Sequence, residues 1–192
     1  MMRLWQVAVA FPAISLVVAH AQPEQTVKFT WQAIRVDGRS FSPELAMMNA
    51  ERDEYATSLA NLAVNRVVEA EASPASLEQA RKFLALALHL SPRNKRAVVV
   101  NFQLSQGTLP ERVRLDFGPE AMAKLIYARA GLLLNQEGEE NELAARLFTA
   151  LAAQLDPRNE DAVYASEVQR LDHGELDWSI LTRPQVAGGK AP

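Results

Sequence analysis

One stretch of the sequence occurs twice, 65 positions apart, and this repetition constrains the fold more than any other feature. Residues 80–98 read ARKFLALALHLSPRNKRAV, and residues 145–163 read ARLFTALAAQLDPRNEDAV. Each copy joins an alanine-rich helical pattern to a proline and a second helical start. Self-similarity at a fixed offset is typical of stacked supersecondary units, none of which can bury its apolar face alone. The chain is therefore predicted to contain two related helical units.

The two units are predicted at about residues 42–109 and 119–176. The Ser-Pro-Glu triplet at 42–44 suits a helix start, so the first helix is predicted over residues 42–72. Its apolar face includes Leu45, Met48 and Tyr55. Ser76 is expected to cap the next helix, which Ser91-Pro92 ends. Further helices are expected at 95–106, 120–136, 142–155 and 160–172, so the predicted fold is mainly α, with about five or six helices.

The beginning of the chain has the features of an export signal. Arg3 gives a positive start, residues 4–18 are mostly apolar, and Ala19-His20-Ala21 forms a small-x-small cleavage pattern. A retained membrane anchor is the alternative, although the apolar stretch is shorter than the about 20 residues of a transmembrane helix. We therefore expect residues 1–21 to be a signal peptide and the protein to be periplasmic or extracellular, in a bacterial cell envelope.

Residues 22–41 are expected to form an arm ahead of the helices. Val27, Phe29 and Trp31 alternate with polar residues, which is the period of a strand, and Asp37-Gly38 indicates a turn. This arm is either an ordered segment covering the first helix or a sheet edge that accepts a partner strand. At the other end, residues 182–192 are rich in proline and glycine and are expected to be disordered.

The repeated helix and its proline break resemble the tetratricopeptide repeat, over about residues 55–172. That family pairs two antiparallel helices, with small residues where their axes approach and a proline at the junction. The matching positions are Ala80, Leu84, Ala87 and Pro92 in one copy, and Ala145, Thr149, Ala152 and Pro157 in the other. Phe102 and Glu167 depart from the pattern because the family has a small residue there. The resemblance implies an α-solenoid of stacked hairpins, and other alanine-rich hairpins are the alternative.

The resemblance also implies a function. Members of that family commonly bind a peptide or a partner helix in a concave groove, lined mostly by the first helix of each pair. The implied groove residues are Ala128, Leu132, Asn135 and Gln136, with Arg96, Val99, Gln103, Asp161 and Tyr164 as weaker candidates. We therefore expect a non-catalytic protein–protein interaction module. The alternative is a structural accessory subunit of a cell-envelope, secretion or pilus assembly, docked through its N-terminal strand.

No catalytic or metal-binding motif is recognisable. The chain has no cysteine, and the two histidines after the signal, His89 and His173, are not spaced as a ligand pair. Without residues 1–21, in which Arg3 is the only charged side chain, 19 basic and 23 acidic residues leave a net charge of −4. That charge argues against nucleic-acid binding. We predict no enzyme activity, no catalytic residue, no cofactor and no metal site.

The remaining polar features are interpreted as structural. His89, near a helix end, suits the helix dipole. Acidic pairs such as Glu139 with Glu140 fit solvated helix faces and turns. Arg93-Asn94 and Arg158-Asn159 follow the two prolines, and their recurrence predicts that they cap or brace each hairpin junction. A site for a peptide carboxylate is the alternative for these pairs.

Overall fold

The computed structural model describes residues 28–36 and 41–182, and most of them are helical. The helices are α1 (Asn49–Glu69), α2 (Pro74–Leu90), α3 (Lys95–Ser105), α4 (Pro119–Leu134), α5 (Glu139–Leu155), α6 (Glu160–His173) and the short α7 (Ser179–Thr182). No residue of these two ranges belongs to a strand. The predicted mainly α fold is confirmed. The predicted signal at 1–21 and the predicted disorder at 183–192 lie outside the described residues. Thr182, which was also predicted to be disordered, ends helix α7.

The two repeated segments adopt matching conformations. The closest helix pairs are α1 with α2 and α4 with α5, while α3 packs on α1 and α2, and α6 packs on α5. Ser91 ends α2 with φ −140° and ψ 89°, and Asp156 ends α5 with φ −135° and ψ 86°. Their N–H groups donate to the carbonyls of Ala87 and Ala152 at 2.9 and 3.0 Å. The two repeated segments therefore share nearly the same local geometry at the helix end, and their grouping into two repeated units stays a prediction.

The alanines of the repeat lie in the interior of the helical body. Ala87 and Ala152 are fully buried, as are Ala80 and Ala145. Side chains without bulk let helix axes approach, and residues three and four apart share the face that packs. The predicted burial of these alanines is confirmed. The identification as a tetratricopeptide repeat stays a prediction.

The asparagines after the prolines cap the third helix of each unit. Asn94 Oδ1 accepts the N–H of Ala97 at 3.0 Å, and Asn159 Oδ1 accepts that of Ala162 at 3.1 Å. In the first unit the Asn94 amide also donates to Asp53 Oδ1 on α1 at 2.9 Å, which braces the junction. The predicted capping role is confirmed. His89, interpreted as structural, is buried on α2 with its Nδ1 atom 2.8 Å from the Ala85 carbonyl oxygen.

The first helix begins at Asn49, so its predicted start at residue 42 is wrong. The Ser42 hydroxyl donates to the Glu140 carboxylate of α5 at 2.6 Å, and the Ser42 N–H donates to the same group at 3.0 Å. The buried Arg52 side chain donates to the carbonyls of Phe41 and Ser42 at 2.6 and 2.9 Å. A partner about 100 positions away therefore uses the groups that would cap a local helix. These contacts fix residues 41–48 as a turn.

The non-helical turn also changes which methionine is buried. Met48 was expected on the apolar face, but its side chain is 75% exposed, while Met47 is 6% exposed. The Ala46 N–H donates to Asn141 Oδ1 of α5 at 2.9 Å, which holds this turn against the second unit. The prediction for Met48 fails because it assumed helical spacing in a segment that is not helical.

The turn between α1 and α2 differs from its prediction at two points. Helix α1 ends at Glu69 and not at residue 72, and the cap of α2 is Ser73 and not Ser76. Ser73 accepts the N–H of Ser76 at 3.4 Å, and a proline follows at the first helical position. Glu71 and Ala72 have φ of 48° and 54°, the left-handed region that side chains disfavour. The turn is therefore strained.

Residues 28–36 of the arm belong to no strand, so the strand prediction is not confirmed there. Phe29 is half-buried and Trp31 is buried, while Lys28, Thr30 and Gln32 are exposed, as the predicted alternation requires. Ile34, three positions after Trp31, is buried out of that phase. The Asn101 side chain of α3 accepts from Trp31 Nε1 at 3.1 Å and from the Ile34 N–H at 3.0 Å, and it donates to the Ile34 carbonyl at 3.0 Å. Arg81 of α2 donates to the Gln32 carbonyl. The arm therefore docks on α2 and α3, whereas the sequence suggested the first helix.

The remaining boundaries move by a few residues. Helix α4 ends at Leu134, two residues before its predicted end, and α5 begins at Glu139, three residues before its predicted start. Gly138, with φ 112°, permits the turn before α5. Helix α7, which was not predicted, packs on α2. Among the helices described, none combines the length and the apolar character needed to cross a bilayer.

Candidate functional site

A cleft of about 530 Å³ opens between the first half of α1, the start of α4 and the loop that precedes α4. Its walls carry exposed apolar side chains: Phe117 is 38% exposed and Leu125 is 49% exposed. Met122 lies at its base and is almost fully buried. Tyr55 of α1 also lines the cleft and is half-buried. Concave apolar surface of this size makes the cleft a candidate binding site.

Contacts between the two units shape this cleft. Arg129 of α4 makes an ion pair with Glu51 of α1, with Nε and Oε1 2.9 Å apart, and also donates to the Ala46 carbonyl. The Tyr55 ring stacks on Phe148 of α5 with centroids 5.6 Å apart. These contacts fix α1 against α4 and α5 without filling the space between them. The opening is therefore a property of how the units are joined.

Negative charge surrounds the apolar walls. The residues that line the cleft include four carboxylates and, among those the structure describes, no basic side chain: Glu51, Asp53, Glu54 and Asp116. Asp53 accepts hydrogen bonds from Ser91 and Asn94, whereas Glu54 and Asp116 are exposed. Burial, followed by the charge of Glu51, raises the pKa of Tyr55 above its ordinary value. The phenol stays neutral and lies 3.5 Å from the Leu125 carbonyl, to which it donates.

The apolar wall continues along α4. Ala128 and Leu132 follow Leu125 at spacings of three and four, so the three residues share one helix face. Ala128 is exposed, and Leu132 is 56% exposed. Two residues implied by the family resemblance thus extend the apolar wall of the cleft. Asn135 and Gln136, also exposed, follow at the end of α4.

The weaker groove candidates lie on other helices. Arg96, Val99 and Gln103 share a face of α3, where Arg96 Nε donates to Asn61 Oδ1 of α1 at 2.8 Å. Asp161 and Tyr164 lie exposed on α6. The main packing of α3 is with α1 and α2 and that of α6 is with α5, so these helices do not join α4 in one groove. Whether any of the nine candidates binds a partner stays a prediction.

Sequence reasoning missed Phe117 and Asp116. Both lie in the loop before α4, where no helical or strand period exists to assign a face. The Asn65 side chain of α1 holds this loop by accepting the Val113 N–H at 2.9 Å and donating to the Val113 carbonyl at 2.8 Å. The exposed pair Leu125 and Leu132, seven positions apart, was the signal that could have identified the α4 wall.

A larger cleft, of about 630 Å³, lies on the other side of this loop. Its apolar lining includes Leu62, Phe83 and Leu155. Three arginines and Glu69 lie around it, and one of them, Arg112, pairs with Glu69 at 2.7 Å. This surface contains no groove candidate. In residues 28–36 and 41–182, no group of three or more histidine, aspartate and glutamate side chains is placed to hold a metal ion.

Comparison of the chain with protein-family models found no match, and comparisons with curated proteins and with solved structures found none either.

Proposed function

We propose that this protein is a non-catalytic interaction module that binds a basic, amphipathic segment of a partner protein in the cleft between α1 and α4. The observation that carries the proposal is the combination of exposed apolar walls with two exposed carboxylates, Glu54 and Asp116, while Glu51 is paired with Arg129. A helix with one apolar and one basic face matches both features. The resemblance to the tetratricopeptide repeat supports the same class of function.

Each wall has a separate role in this proposal. Leu125, Ala128 and Leu132 supply an apolar strip of two helical turns, the length that receives the i, i+3 and i+7 side chains of a partner helix. Glu54 and Asp116 supply exposed charge, which steers association and selects the partner more than it adds affinity. Binding is therefore expected to weaken with salt, because exposed charges are screened over about 10 Å at 0.1 M ionic strength.

The signal-like residues 1–21 support an exported location for this module. The accessory-subunit alternative depends on a free N-terminal strand. In the structure the N–H and the carbonyl of Ile34 are both bound to Asn101, and the arm adds to no sheet within the described residues. No observation favours that alternative over the cleft.

The test uses a fluorescein-labelled 18-residue peptide with leucine on one helical face and lysine on the other. Fluorescence anisotropy measures its binding to the purified chain and to a variant carrying Glu54→Lys and Asp116→Lys. We expect at least about tenfold weaker binding by the variant, since two attractive charges become repulsive. A second variant, Asn135→Ala with Gln136→Ala, tests the end of α4.

The matched control carries Glu111→Lys and Asp172→Lys, the same change of charge at two exposed residues outside the cleft lining. The control is expected to bind nearly as well as the natural chain. Equal weakening in both charge-reversed variants would show that the peptide binds through general electrostatic attraction and not in the cleft. Failure of the natural chain to bind the peptide would also refute the proposal.

A further inference from the structure

The cleft of about 630 Å³ differs from the α1–α4 cleft in where its apolar surface lies. Its lining includes Leu62 of α1, Phe83 of α2 and Leu155 of α5, which are only 7%, 1% and 7% exposed. By contrast, Phe117 and Leu125 in the walls of the α1–α4 cleft are 38% and 49% exposed. Side chains that are so nearly covered can be reached only by a slender group that enters the cleft. The face of a partner helix is too broad to reach them.

The charged part of this lining is mostly arginine. Arg66 lies in the last turn of α1, and Arg112 and Arg114 lie in the loop before α4. All three are exposed, and three arginines against the single carboxylate of Glu69 leave the described lining with an excess of two positive charges. Arginine presents a planar fork of N–H donors that matches the two oxygens of a carboxylate. The lining therefore favours an anionic ligand.

One of these arginines is paired within the chain, and the other two are not. Arg112 donates to Glu69 Oε1 at 2.7 Å. The guanidinium groups of Arg66 and Arg114 make no ion pair with any residue in the described part of the chain. An anion bound in this cleft offers both of them a charge-assisted hydrogen-bond partner, which is stronger than a neutral one.

The loop side of the cleft is held in place by Asn65. Its side chain donates to the Val113 carbonyl at 2.8 Å and accepts the Val113 N–H at 2.9 Å. Val113 and Leu115 are half-buried, whereas the alternate residues Arg112 and Arg114 are exposed. The loop therefore contributes apolar side chains on its covered side and positive charge on its exposed side. Because the main chain is already fixed, a ligand does not have to order this loop in order to bind.

We propose that this cleft is a second binding site, which takes a small amphiphilic molecule with a slender apolar chain and one terminal carboxylate. The chain enters toward Leu62 and Phe83, and the carboxylate stays at the exposed entrance, where Arg66 and Arg114 donate to it. A volume of about 630 Å³ is in the range of small-molecule sites. A carboxylate is favoured over a phosphate monoester, because Glu69 in the same lining repels a dianion more strongly than a monoanion. The site lies across the loop from the α1–α4 cleft, and neither proposal requires the other.

The test follows the binding of decanoate to the full chain. Amide and methyl chemical shifts of the isotope-labelled protein, recorded during titration, give both the site and the affinity. Decanol, which has the same chain without the charge, is the matched control ligand. We expect decanoate to shift the resonances of Leu62 and Val113 and to bind at least about tenfold more tightly than decanol, the difference that charge-assisted hydrogen bonds produce. Decyl phosphate is expected to bind more weakly than decanoate.

Variants separate this cleft from the rest of the surface. A variant carrying Arg66→Gln and Arg114→Gln is expected to bind decanoate at least about tenfold more weakly and decanol as the natural chain does, since only charged contacts are removed. The matched control carries Arg93→Gln and Arg158→Gln, two exposed arginines outside the cleft lining, and is expected to bind both ligands like the natural chain. Val113→Trp fills the cleft from the loop side and is expected to abolish binding of both ligands.

Several results would overturn the proposal. They are the absence of shifts with decanoate at about 1 mM, shifts confined to residues outside the cleft lining, decanol or decyl phosphate binding as tightly as decanoate, and unchanged decanoate binding by the variant with Arg66→Gln and Arg114→Gln. The peptide of leucine and lysine is titrated separately, and that variant is expected to bind it like the natural chain. If decanoate binds in its cleft while this peptide fails to bind, only the α1–α4 proposal is refuted, and the reverse result refutes only the carboxylate site.

Discussion

Replacing Asn101 with alanine should detach the arm from the helical body. The Asn101 amide makes three hydrogen bonds to the arm, at 3.1 Å from Trp31 Nε1, at 3.0 Å from the Ile34 nitrogen and at 3.0 Å to the Ile34 oxygen. Net contributions of about 0.5–1.5 kcal/mol each give a loss of about 1.5–4.5 kcal/mol in the free energy of arm opening. The alanine variant also leaves the Ile34 main chain unsatisfied unless the arm moves into water.

Hydrogen exchange at the Ile34 amide measures this opening directly. A loss of that size accelerates exchange by about one to three decades, since each 1.36 kcal/mol is a factor of ten. Amides in the middle of α5 should exchange as in the natural chain, because the hydrogen bonds of the arm go to α2 and α3. Ser166→Ala, at the equivalent position of the second unit, is the matched control and should leave the exchange of Ile34 unchanged.

Two outcomes would refute this reasoning. An Ile34 amide that exchanges at the rate of an unstructured peptide in the natural chain would mean that the arm is not docked. An Ile34 amide equally protected in the Asn101→Ala variant would mean that other contacts hold the arm, and the Asn101 amide would then have no role in docking it.

Three further predictions concern stability, measured by thermal and urea unfolding. Glu71→Gly should raise the free energy of unfolding by about 0.5–1 kcal/mol, because glycine removes the strain of a side chain in the left-handed region, less the backbone entropy that glycine loses on folding. A lower melting temperature would contradict this. Asn159→Ala should cost about 0.5–2 kcal/mol as a lost helix cap, and Asn94→Ala should cost more because Asn94 also braces α1, so a smaller loss for Asn94 would be contrary. Arg52→Met should cost at least about 3 kcal/mol, since it leaves buried carbonyls of residues 41, 42 and 90 without a donor, and a neutral effect would contradict the role given to Arg52.

The parts of the fold that follow from local chemistry could be predicted from the sequence. Alanine-rich helical patterns, the prolines that end them and the asparagines that cap the next helix act over three to five residues. Sequence reasoning therefore places α2, α3, α5 and α6 nearly where they lie. The buried alanines follow from the same period.

The parts that depend on distant partners could not be predicted. Ser42 looks like a helix cap, yet Glu140 and Arg52 hold it in a turn. The residues around Ser42 do not indicate either contact. The sequence of the arm alternates like that of a strand because only one side of the arm is buried. The helices and the Asn101 side chain cover that side, as a neighbouring sheet would. Phe117 became part of the candidate cleft through the path of a loop, and loops have no period from which to assign a face.

The central claim is that two copies of one helical hairpin, each with small alanines at its helix contact, form the body of this protein. Ala87→Leu and Ala152→Leu test it most directly, with Ala128→Leu as the matched exposed control on α4. Both buried substitutions should lower the free energy of unfolding by about 1–3 kcal/mol, through overpacking of equivalent helix contacts, while the control should stay within about 0.5 kcal/mol of the natural chain. A neutral result at either buried alanine, or a loss at the control as large as theirs, would contradict the account.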